Sequence, residues 1–347
     1  MTTNAGIKID KPYSLQRFQL DVTAVDNRYD TNSALNFTAL NYRAAWLWQL
    51  TPNISGIISA DRQQTLNSFS DFRDNTNQLN TGRSIATNQS RRFNVDALIG
   101  GGWHILGGLS DLSSQNSQTF NAVGNFVQDG IEFGVKYAAP SDNAITLMHR
   151  ESRGNFQGRN ADVPAQLDTG YNQSETEAIL DWQLTGNSVI NAHLGYIDRE
   201  HDHFSSRDFD GVKGRLAYNW TPTDKLHINT SISRNLYSYQ QNINSYYVDD
   251  TFSIEPTWQI TAKTKMRLHY DYSKRDYFGA IVPIAENRKD DVQTFLVSAE
   301  WQALRTLTVI GTLQHETRSS NATLANGLNG PLDYDVNSVT ISAQLLF

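Results

Sequence analysis

The sequence contains no cysteine among its 347 residues. Disulfides, thiolate nucleophiles and thiolate metal sites are therefore excluded together. It also lacks any run close to the roughly 18 consecutive apolar residues that a membrane-spanning helix requires, so a helical membrane protein is excluded. No basic block is present, because 29 basic and 36 acidic residues are spread along the chain and give a net charge of −7. This distribution argues against nucleic acid as a partner.

A signal peptide is also missing from the opening MTTNAGIKID, which has neither a positively charged start nor an apolar run. Two alternatives remain at this point: a cytosolic protein, or a chain whose leader peptide lies upstream and is removed. The patterns described below favour the second, and we expect the leader to lie outside this chain.

Aromatic residues are abundant, with 15 Tyr, 15 Phe and 7 Trp, which favours strands over helices. The mean hydropathy of −0.50 resembles that of a soluble protein. Strands of a membrane β-barrel, however, alternate apolar and polar residues and also average to a polar composition. A β-barrel therefore remains possible.

Six of the seven tryptophans start a short segment that we interpret as the last residue of a strand followed by a turn. The segments are WQLTPN at 48, WHILGG at 103, WQLTGN at 182, WTPTDK at 220, WQITAK at 258 and WQALRT at 301. YAAPSDN at Tyr137 has the same form, and Phe347 holds the equivalent position at the end of the chain. Each interval holds two strand-like runs, so the repeating unit is a hairpin.

The strands can be phased because successive side chains point to opposite faces. In GVKGRLAYNW, Val212, Leu216 and Trp220 share one face, whereas Lys213 and Arg215 share the other. The aromatic residue beside the turn always belongs to the apolar face, as in a membrane-interface girdle. The predicted periplasmic girdle comprises Trp46, Trp48, Trp103, Tyr137, Trp182, Trp220, Trp258, Trp301 and Phe347.

Short turns at one end and long polar loops at the other predict an all-β fold, a transmembrane antiparallel up-and-down β-barrel. We expect one domain over 1–347, in which 1–14 form a first partial strand and its periplasmic turn. Long extracellular loops are expected near 69–90, 114–129, 155–170, 278–290 and 318–333. A soluble propeller is disfavoured, because each interval holds two strands where a blade needs four.

Seventeen strands can be counted, whereas bacterial barrels of this type have an even number. We expect 18 strands in the intact protein, with the first up-going strand upstream of Met1. The alternative is a closed barrel of 16 strands with an extended N-terminal segment. At either size, the bore is a water-filled channel unless loops plug it.

Charged side chains on the polar face are expected to line the lumen, since Arg or Lys at the lipid midplane costs roughly 2–4 kcal/mol. The predicted lumen-lining transport residues are Arg17, Arg43, Lys136, Arg150, Glu177, Asp181, Lys213, Arg215, Arg267, His269, Asp271 and Glu300; Asp21, Asp61, Asp96, Glu132, Glu175 and Glu255 share that face. They either hydrate the lumen and pair across strands, or form a polar track on which a sugar chain slides through weak contacts.

The segment EHDHFSSRDF contains His201, Asp202, His203 and Asp208, the residue types of a metal site or of a His/Asp hydrolase pair. Neither a third ligand nor a nucleophile is evident nearby, so we expect the segment to pack a tight external loop. We accordingly predict no enzyme activity, catalytic residue, metal or cofactor.

Four residues do not fit the pattern. Leu98, Met148 and Leu296 fall on the lumen side, and Pro256 removes a hydrogen-bond donor inside a strand. Local bulges or inward-folded loops would explain them.

Three stretches resemble the EpsL-type outer-membrane proteins of exosortase-associated exopolysaccharide operons: LNYRAAWLWQLTPNISGIISADRQQTLNSFSDF (40–72), LDWQLTGNSVINAHLGYIDREHDHFSSRDFDGVKGRLAYNWTPTDKL (180–226) and DYSKRDYFG (271–279). The resemblance implies a barrel in the outer membrane of a Gram-negative bacterium that assists export of an exopolysaccharide. Expected partners are the lipid bilayer, the exopolysaccharide chain, periplasmic and inner-membrane export proteins and, through Phe347, the outer-membrane assembly machinery. A general diffusion porin and a plugged barrel that serves as a docking component remain alternatives.

Overall fold

The computed structural model describes residues 1–67, 83–118, 124–141, 143–163, 166–241, 244–281, 286–322 and 332–345. These residues form seventeen strands and two short 3-10 turns. The strands are β1 Thr2–Tyr13, β2 Gln16–Asn27, β3 Phe37–Thr51, β4 Ile54–Leu66, β5 Ile85–Gly100, β6 Trp103–Asn116, β7 Phe126–Ala138, β8 Ala144–Phe156, β9 Gly170–Thr185, β10 Ser188–His201, β11 Phe209–Thr223, β12 Leu226–Gln241, β13 Asn244–Thr261, β14 Thr264–Phe278, β15 Lys289–Gln302, β16 Leu307–Ser320 and β17 Tyr334–Leu345. Within the described part of the chain, no helix has the length and apolar character needed to cross a membrane.

Every strand pairs antiparallel with the strand that follows it in the chain, from β1–β2 through to β16–β17. The pairing register keeps side chains of one kind on the same face across neighbouring strands. Asp21, for example, lies opposite Arg43, and Arg43 lies opposite Asp61. One face of the wall is thus polar over many strands and the other apolar.

The two ends of the wall differ in the length of their connections. At the end that we call the turn end, two residues join most hairpins, as at 14–15, 52–53 and 186–187. At the opposite end, the loop end, the connections include 28–36 and 202–208. Turns of two to five residues therefore lie on one side of the wall, and most connections on the other side are longer.

Several expected boundaries differ from the structure. At the edges of the loops expected near 155–170, 278–290 and 318–333, residues 155–156, 170, 278, 289–290 and 318–320 belong to strands. Within 1–14, β1 takes 12 residues, Thr2–Tyr13, because twelve successive residues pair with β2, and the turn that follows consists of residues 14 and 15. Residues 85–90, expected in a loop, continue the pairing with β4 and belong to β5. Residues 114–116 and 126–129 likewise belong to β6 and β7. The parts of the loop predictions that fall on 69–82, 119–123, 164–165, 282–285 and 323–331 lie outside the described residues.

Trp103 corrects the rule that each tryptophan precedes a turn. It is the first residue of β6, and the turn before it is made by Gly101 and Gly102. Their φ angles of 61° and 82° lie in the left-handed region that glycine adopts without strain. The glycines after Trp103, Gly107 and Gly108, lie inside β6 and form no turn.

The exceptions to the alternation have different causes. A register shift follows Leu98, so this residue does lie beside a bulge. Met148 and Leu296, by contrast, sit in regular ladders opposite Gly134 and His269. At Pro256 the pairing with β14 is interrupted, and it resumes with the same register at Thr257. Proline has no backbone N–H, so it breaks the hydrogen-bond ladder without inserting an extra residue as a bulge would. Bulges therefore explain only one of the four.

Candidate functional site

The apolar face of the wall carries large side chains that no residue in the described part of the chain covers. On β7, Ile131, Phe133 and Val135 are 56%, 58% and 46% exposed. Comparable exposure of apolar side chains recurs on most strands of the wall, for example at Leu194 and Leu216. A continuous apolar surface of this extent marks an interaction with a partner or a membrane. We call it the outer face.

Aromatic residues line the outer face at the turn end. Trp46 stacks on Phe18 at a ring-centroid distance of 5.8 Å, and its Nε1 donates to Gln16 Oε1 at 2.7 Å. Trp103 contacts the Tyr137 ring at 5.1 Å. The tryptophans at 182, 220, 258 and 301 are 41–55% exposed, whereas Trp48 is buried against Phe93 and Gly56. Phe347 lies outside the described residues.

Charged pairs cross the outer face towards the loop end. Arg91 lies 3.5 Å from Asp111, and Arg234 lies 2.6 Å from Asp250. On β6, eight residues separate Trp103 from Asp111, which corresponds to about 26 Å along the strand, or about 20 Å along the axis of a barrel whose strands tilt by roughly 40°. On β11, ten residue steps separate Asp210 from Trp220, which corresponds to about 25 Å along the barrel axis at the same tilt. The apolar band is therefore about 20–25 Å high, close to the height of about 25 Å that is typical of outer-membrane barrels.

The opposite, inner face carries all the predicted lumen-lining residues, as the registers of their strands require. At its centre, a chain of ion pairs has members on β7, β8, β9 and β11 and thus spans five adjacent strands. Arg150 binds Glu132 Oε2 at 2.7 Å and Glu175 Oε1 at 3.2 Å, and Lys213 Nζ binds the same Glu175 oxygen at 2.7 Å. Glu132 and Glu175 are largely buried, so the basic side chains compensate carboxylates that have lost much of their water.

A second group on the inner face lies nearer the turn end. Asp96 accepts from Lys136 Nζ and approaches His104 Nδ1, both at 2.5 Å. Asn94 on the same face donates to Glu132. His104 and Asn94 were not among the predicted lumen residues, although each lies between two apolar residues and therefore belongs to this face by alternation.

A third group lies on β13, β14 and β15. Glu255 is 3.7 Å from Arg267 Nε and 3.3 Å from His269 Nδ1, and His269 Nε2 contacts Asp271 at 2.5 Å. Lys265 Nζ binds Glu300 Oε2 at 2.9 Å. Lys265 was also not among the predicted lumen residues.

The remaining predicted residues are less densely paired. Glu177 lies 3.2 Å from His193, Asp181 accepts from Asn191 at 2.7 Å, and Arg17 binds Asp10. Arg43 and Arg215 have no ion-pair partner among the residues that the structure describes. Arg43 lines a pocket of about 330 Å³ together with Asp21 and Asp61. Both guanidinium groups are thus available to a molecule inside the barrel.

At the loop end, the inner face is closely packed. Tyr171 is 1% exposed, donates to Gln128 Oε1 at 2.7 Å and lies under the Arg199 guanidinium, 3.8 Å from its ring centroid. Gly154 is required here, because a Cβ at this position would come within 2.1 Å of the Tyr171 ring.

A second packed group at the loop end surrounds Asp290. This fully buried carboxylate accepts from Arg288 and Arg318, each at 2.6 Å, and from the Ser320 hydroxyl at 2.5 Å. The Tyr277 hydroxyl adds a hydrogen bond of 3.1 Å. This group therefore ties β14, β15 and β16 together beside the loops.

The EHDHFSSRDF segment packs as a compact loop between β10 and β11, held mainly by Asp168. The Asp168 carboxylate accepts from the backbone N–H groups of His203 and Phe204 at 2.7 and 2.8 Å and from the His203 ring at 2.9 Å. Burial raises the pKa of Asp168, but these hydrogen bonds outweigh burial and lower the pKa to about 2. His201 and Asp208 are hydrogen-bonded to each other.

Arg207 in the same loop is fully buried and donates to two backbone carbonyl groups, Gln166 O at 3.1 Å and Asn244 O at 2.8 Å. Burial lowers the pKa of Arg207 to about 10. Arg207 thereby links the loop to the beginning of β13.

Asp168, Asp202 and His203 bring three ligand-type atoms within 4.8 Å of one another. Asp202, however, already forms a two-pronged pair with Arg153, with both distances at 2.7 Å. Asp168 is occupied by backbone donors. The arrangement is therefore that of a loop clamp, since a cation would have to displace these donors.

Comparison with known proteins supports a barrel. Residues 182–345, just under half of the chain, match the family described as "Putative beta-barrel porin 2". No curated protein matches the sequence.

Among solved structures, the chain is similar to three outer-membrane proteins. The alcaligin receptor FauA of Bordetella pertussis has 11% identity and a TM-score of 0.50, over 96% of this chain and 62% of the receptor. The FrpB iron transporter of Neisseria meningitidis has 10% identity and a TM-score of 0.53, over 91% of this chain and 59% of the transporter. The outer-membrane protein opdK of Pseudomonas aeruginosa has 12% identity and a TM-score of 0.51, over 99% of this chain and 93% of opdK.

The chain therefore spans about three fifths of the receptor and the iron transporter. At these identities the similarity shows the fold alone. The prediction of an antiparallel up-and-down barrel is confirmed, with seventeen strands among the residues that the structure describes.

Proposed function

We propose that the protein is a channel in the outer membrane of a Gram-negative bacterium and that its cargo is an exopolysaccharide. The main support for a channel is the difference in polarity between the two faces of the wall. The outer face presents an apolar band between an aromatic girdle and a row of charged pairs, as a bilayer requires. The inner face presents charged and amide groups of both signs, as a hydrated bore requires.

The inner face suits a sugar chain because it offers many weak partners and no single strong site. Most of its charges are already compensated within the wall, as Arg150 is by Glu132 and Glu175. Hydroxyl groups of a polysaccharide can exchange hydrogen bonds with such groups without being held, and weak multi-site contact favours passage. The proposal assigns no catalytic residue and no cofactor. Its partners are the bilayer, the polymer, export proteins on the periplasmic side and, through Phe347, the assembly machinery.

The channel is tested by reconstitution into planar bilayers. We expect stepwise ion conductance that the polysaccharide of the producing strain reduces and that dextran of similar length reduces less. Arg215→Gln should weaken the block, since Arg215 has no ion-pair partner in the described wall. Arg234→Gln is the matched control, because Arg234 pairs with Asp250 on the outer face. Conductance without any block by the polysaccharide would leave a general diffusion porin as the better description.

A plugged barrel that serves as a docking component is the second candidate, favoured by the packing at the loop end. Tyr171, Arg207 and Asp290 are each no more than 1% exposed there. A plugged barrel should conduct no ions even after deletion of loop residues 157–163. The appearance of conductance in that deletion would instead identify the loop end as a gate.

A further inference from the structure

A cavity of about 700 Å³ lies on the inner face near the turn end, within the roughly 300–1,000 Å³ that is usual for small-molecule sites. Ser14 and Leu15 of the first turn border it. Part of its lining is a single row of residues that face one another across the strands from β3 to β8. The lining residues in this row are Gln49, Ser55, Asp96, Leu106 and Met148.

The cavity gathers apolar side chains that a hydrated bore does not require. Met148, an exception to the alternation, lies over Gly134, where an added Cβ would come within 2.8 Å of the Met148 Sδ. Leu106 faces Gly134 from the other side. Leu47 and Ile57 extend the apolar lining, and Ile57 is 42% exposed. An exposed apolar surface with a few polar groups beside it is typical of a ligand site.

One buried donor in the cavity wall lacks an acceptor. Trp48 lines the cavity and is 8% exposed, and its Nε1 has no hydrogen-bond partner in the part of the chain that the structure describes. A Cβ at Gly56, which also lines the cavity, would lie 2.7 Å from Trp48 Cε2, the carbon bonded to Nε1. The Nε1 edge of the ring therefore borders the cavity. Because buried N–H groups are nearly always paired, this donor indicates an acceptor oxygen on a ligand.

The four charged side chains that line the cavity are already paired within the wall. The pairs are Arg17 with Asp10, Lys136 with Asp96, and Glu132 with Arg150. An ionic ligand would have to displace one of these partners. The charges of the cavity therefore disfavour an ion as its ligand.

The polar groups that remain for a ligand are neutral. They are the Trp48 indole N–H, the Gln49 side-chain amide and the Ser55 hydroxyl, none of which has a side-chain hydrogen bond among the described residues. A sugar ring presents hydroxyl groups at its edge and C–H groups on its faces. It thus matches both the neutral hydrogen-bonding groups and the apolar lining.

We propose that this cavity is an entry subsite for neutral sugar units of the transported chain. A sugar oxygen accepts from Trp48 Nε1, and the C–H face of the ring lies against Met148 and Leu106. Short turns face the periplasm in barrels of this type, so a chain that enters from the periplasm meets the cavity first. The contacts are few and uncharged, so the subsite can engage a chain without stalling its passage. The subsite rests on the proposed cargo.

The donor is tested with Trp48→Phe, which keeps an aromatic ring and removes the N–H. Short oligosaccharides from the polysaccharide of the producing strain are titrated with the full chain, in a detergent without sugar headgroups, and binding is followed by NMR signals of the oligosaccharide. Trp48→Phe should weaken binding about two- to tenfold, as expected for one neutral hydrogen bond. Trp182→Phe, the same change in the exposed girdle, should leave binding unchanged.

The apolar lining is tested with Met148→Gln, which should also weaken binding. Its matched control is Leu296→Gln, a lumen-side apolar residue in a regular ladder on β15, outside the cavity. Wild-type binding should change little between about 0.1 M and 1 M salt, because no charged group is engaged. Heat-modifiable mobility on gels checks that each variant is folded.

Equal affinities of the wild type, Trp48→Phe and Met148→Gln would overturn the proposal, as would tighter binding of phosphate or glucuronate than of a neutral sugar. Failure of the subsite can be told apart from failure of the cargo. Block of conductance by the whole polysaccharide, together with oligosaccharide binding that ignores Trp48, would remove the subsite alone. Binding of maltohexaose that weakens in Trp48→Phe, without any block by the polysaccharide, would support the subsite and remove the cargo.

Discussion

Replacing Gly154 by alanine should destabilise the loop end of the barrel. The added Cβ would lie 2.1–2.6 Å from three atoms of the Tyr171 ring. That ring cannot move aside easily, since Arg199 covers it at 3.8 Å, Phe156 packs at 5.4 Å and its hydroxyl is bound to Gln128. Overpacking of this kind costs typically 1–3 kcal/mol, and we expect the upper part of that range because the overlap is severe. Urea unfolding of the protein refolded in vesicles, followed by tryptophan fluorescence, measures the loss.

The matched control is Gly311→Ala, the same change inside β16 at a position where an added Cβ meets nothing within 4 Å. It should change the unfolding free energy by no more than about 0.5 kcal/mol. Tyr171→Ala should itself be destabilising by about 3–5 kcal/mol, but Gly154→Ala should cost little more in that background, because the clash is gone. Equal effects of Gly154→Ala and Gly311→Ala would refute the reasoning.

Three further predictions concern the bore, the loop clamp and the girdle. Arg150→Gln leaves Glu132 and Glu175 without their shared cation, so the channel should become more cation-selective by reversal potential, whereas Arg91→Gln on the outer face should not shift it. Asp168→Asn should lower stability by about 2 kcal/mol at pH 7, since the carboxyl pKa falls from 3.8 to about 2 on folding. This contribution is complete above about pH 5 and is lost as the pH falls through the folded pKa of about 2, so the difference in urea midpoints should disappear below about pH 2. Tryptophan fluorescence should be quenched more by lipids brominated near the headgroup than by lipids brominated at the chain end; the reverse order would contradict an interfacial girdle.

Alternation of apolar and polar residues was sufficient to predict the strands and their faces, because lipid and water impose opposite demands on neighbouring positions. Lys213 and Val212 show this plainly, since a shift of one residue would place the charge in the bilayer. The strand boundaries near long polar segments were less certain. Residues 87–90 are polar on both faces, so no alternation of apolar and polar residues marks the point where β5 begins.

Contacts between distant segments could not be predicted from spacing. Asp168 holds the backbone of His203 and Phe204 from 35 and 36 residues away, and nothing in the local sequence of either segment indicates the other. Which partner each inner-face charge selects is equally non-local, as with Glu175 and Lys213. The prediction that a turn follows Trp103 was wrong for a different reason. The run of three glycines before this residue is a stronger turn signal than the tryptophan itself.

The height of the apolar band has a consequence for the membrane that the protein can occupy. A band of about 20–25 Å is shorter than the roughly 30 Å interior of an average bilayer and closer to the thinner bacterial outer membrane. In thicker bilayers, lipid chains next to the wall must shorten to keep the charged pairs hydrated, at a cost that grows with each ångström of mismatch. Hydrophobic matching therefore favours insertion of this wall into bilayers whose lipid chains are short.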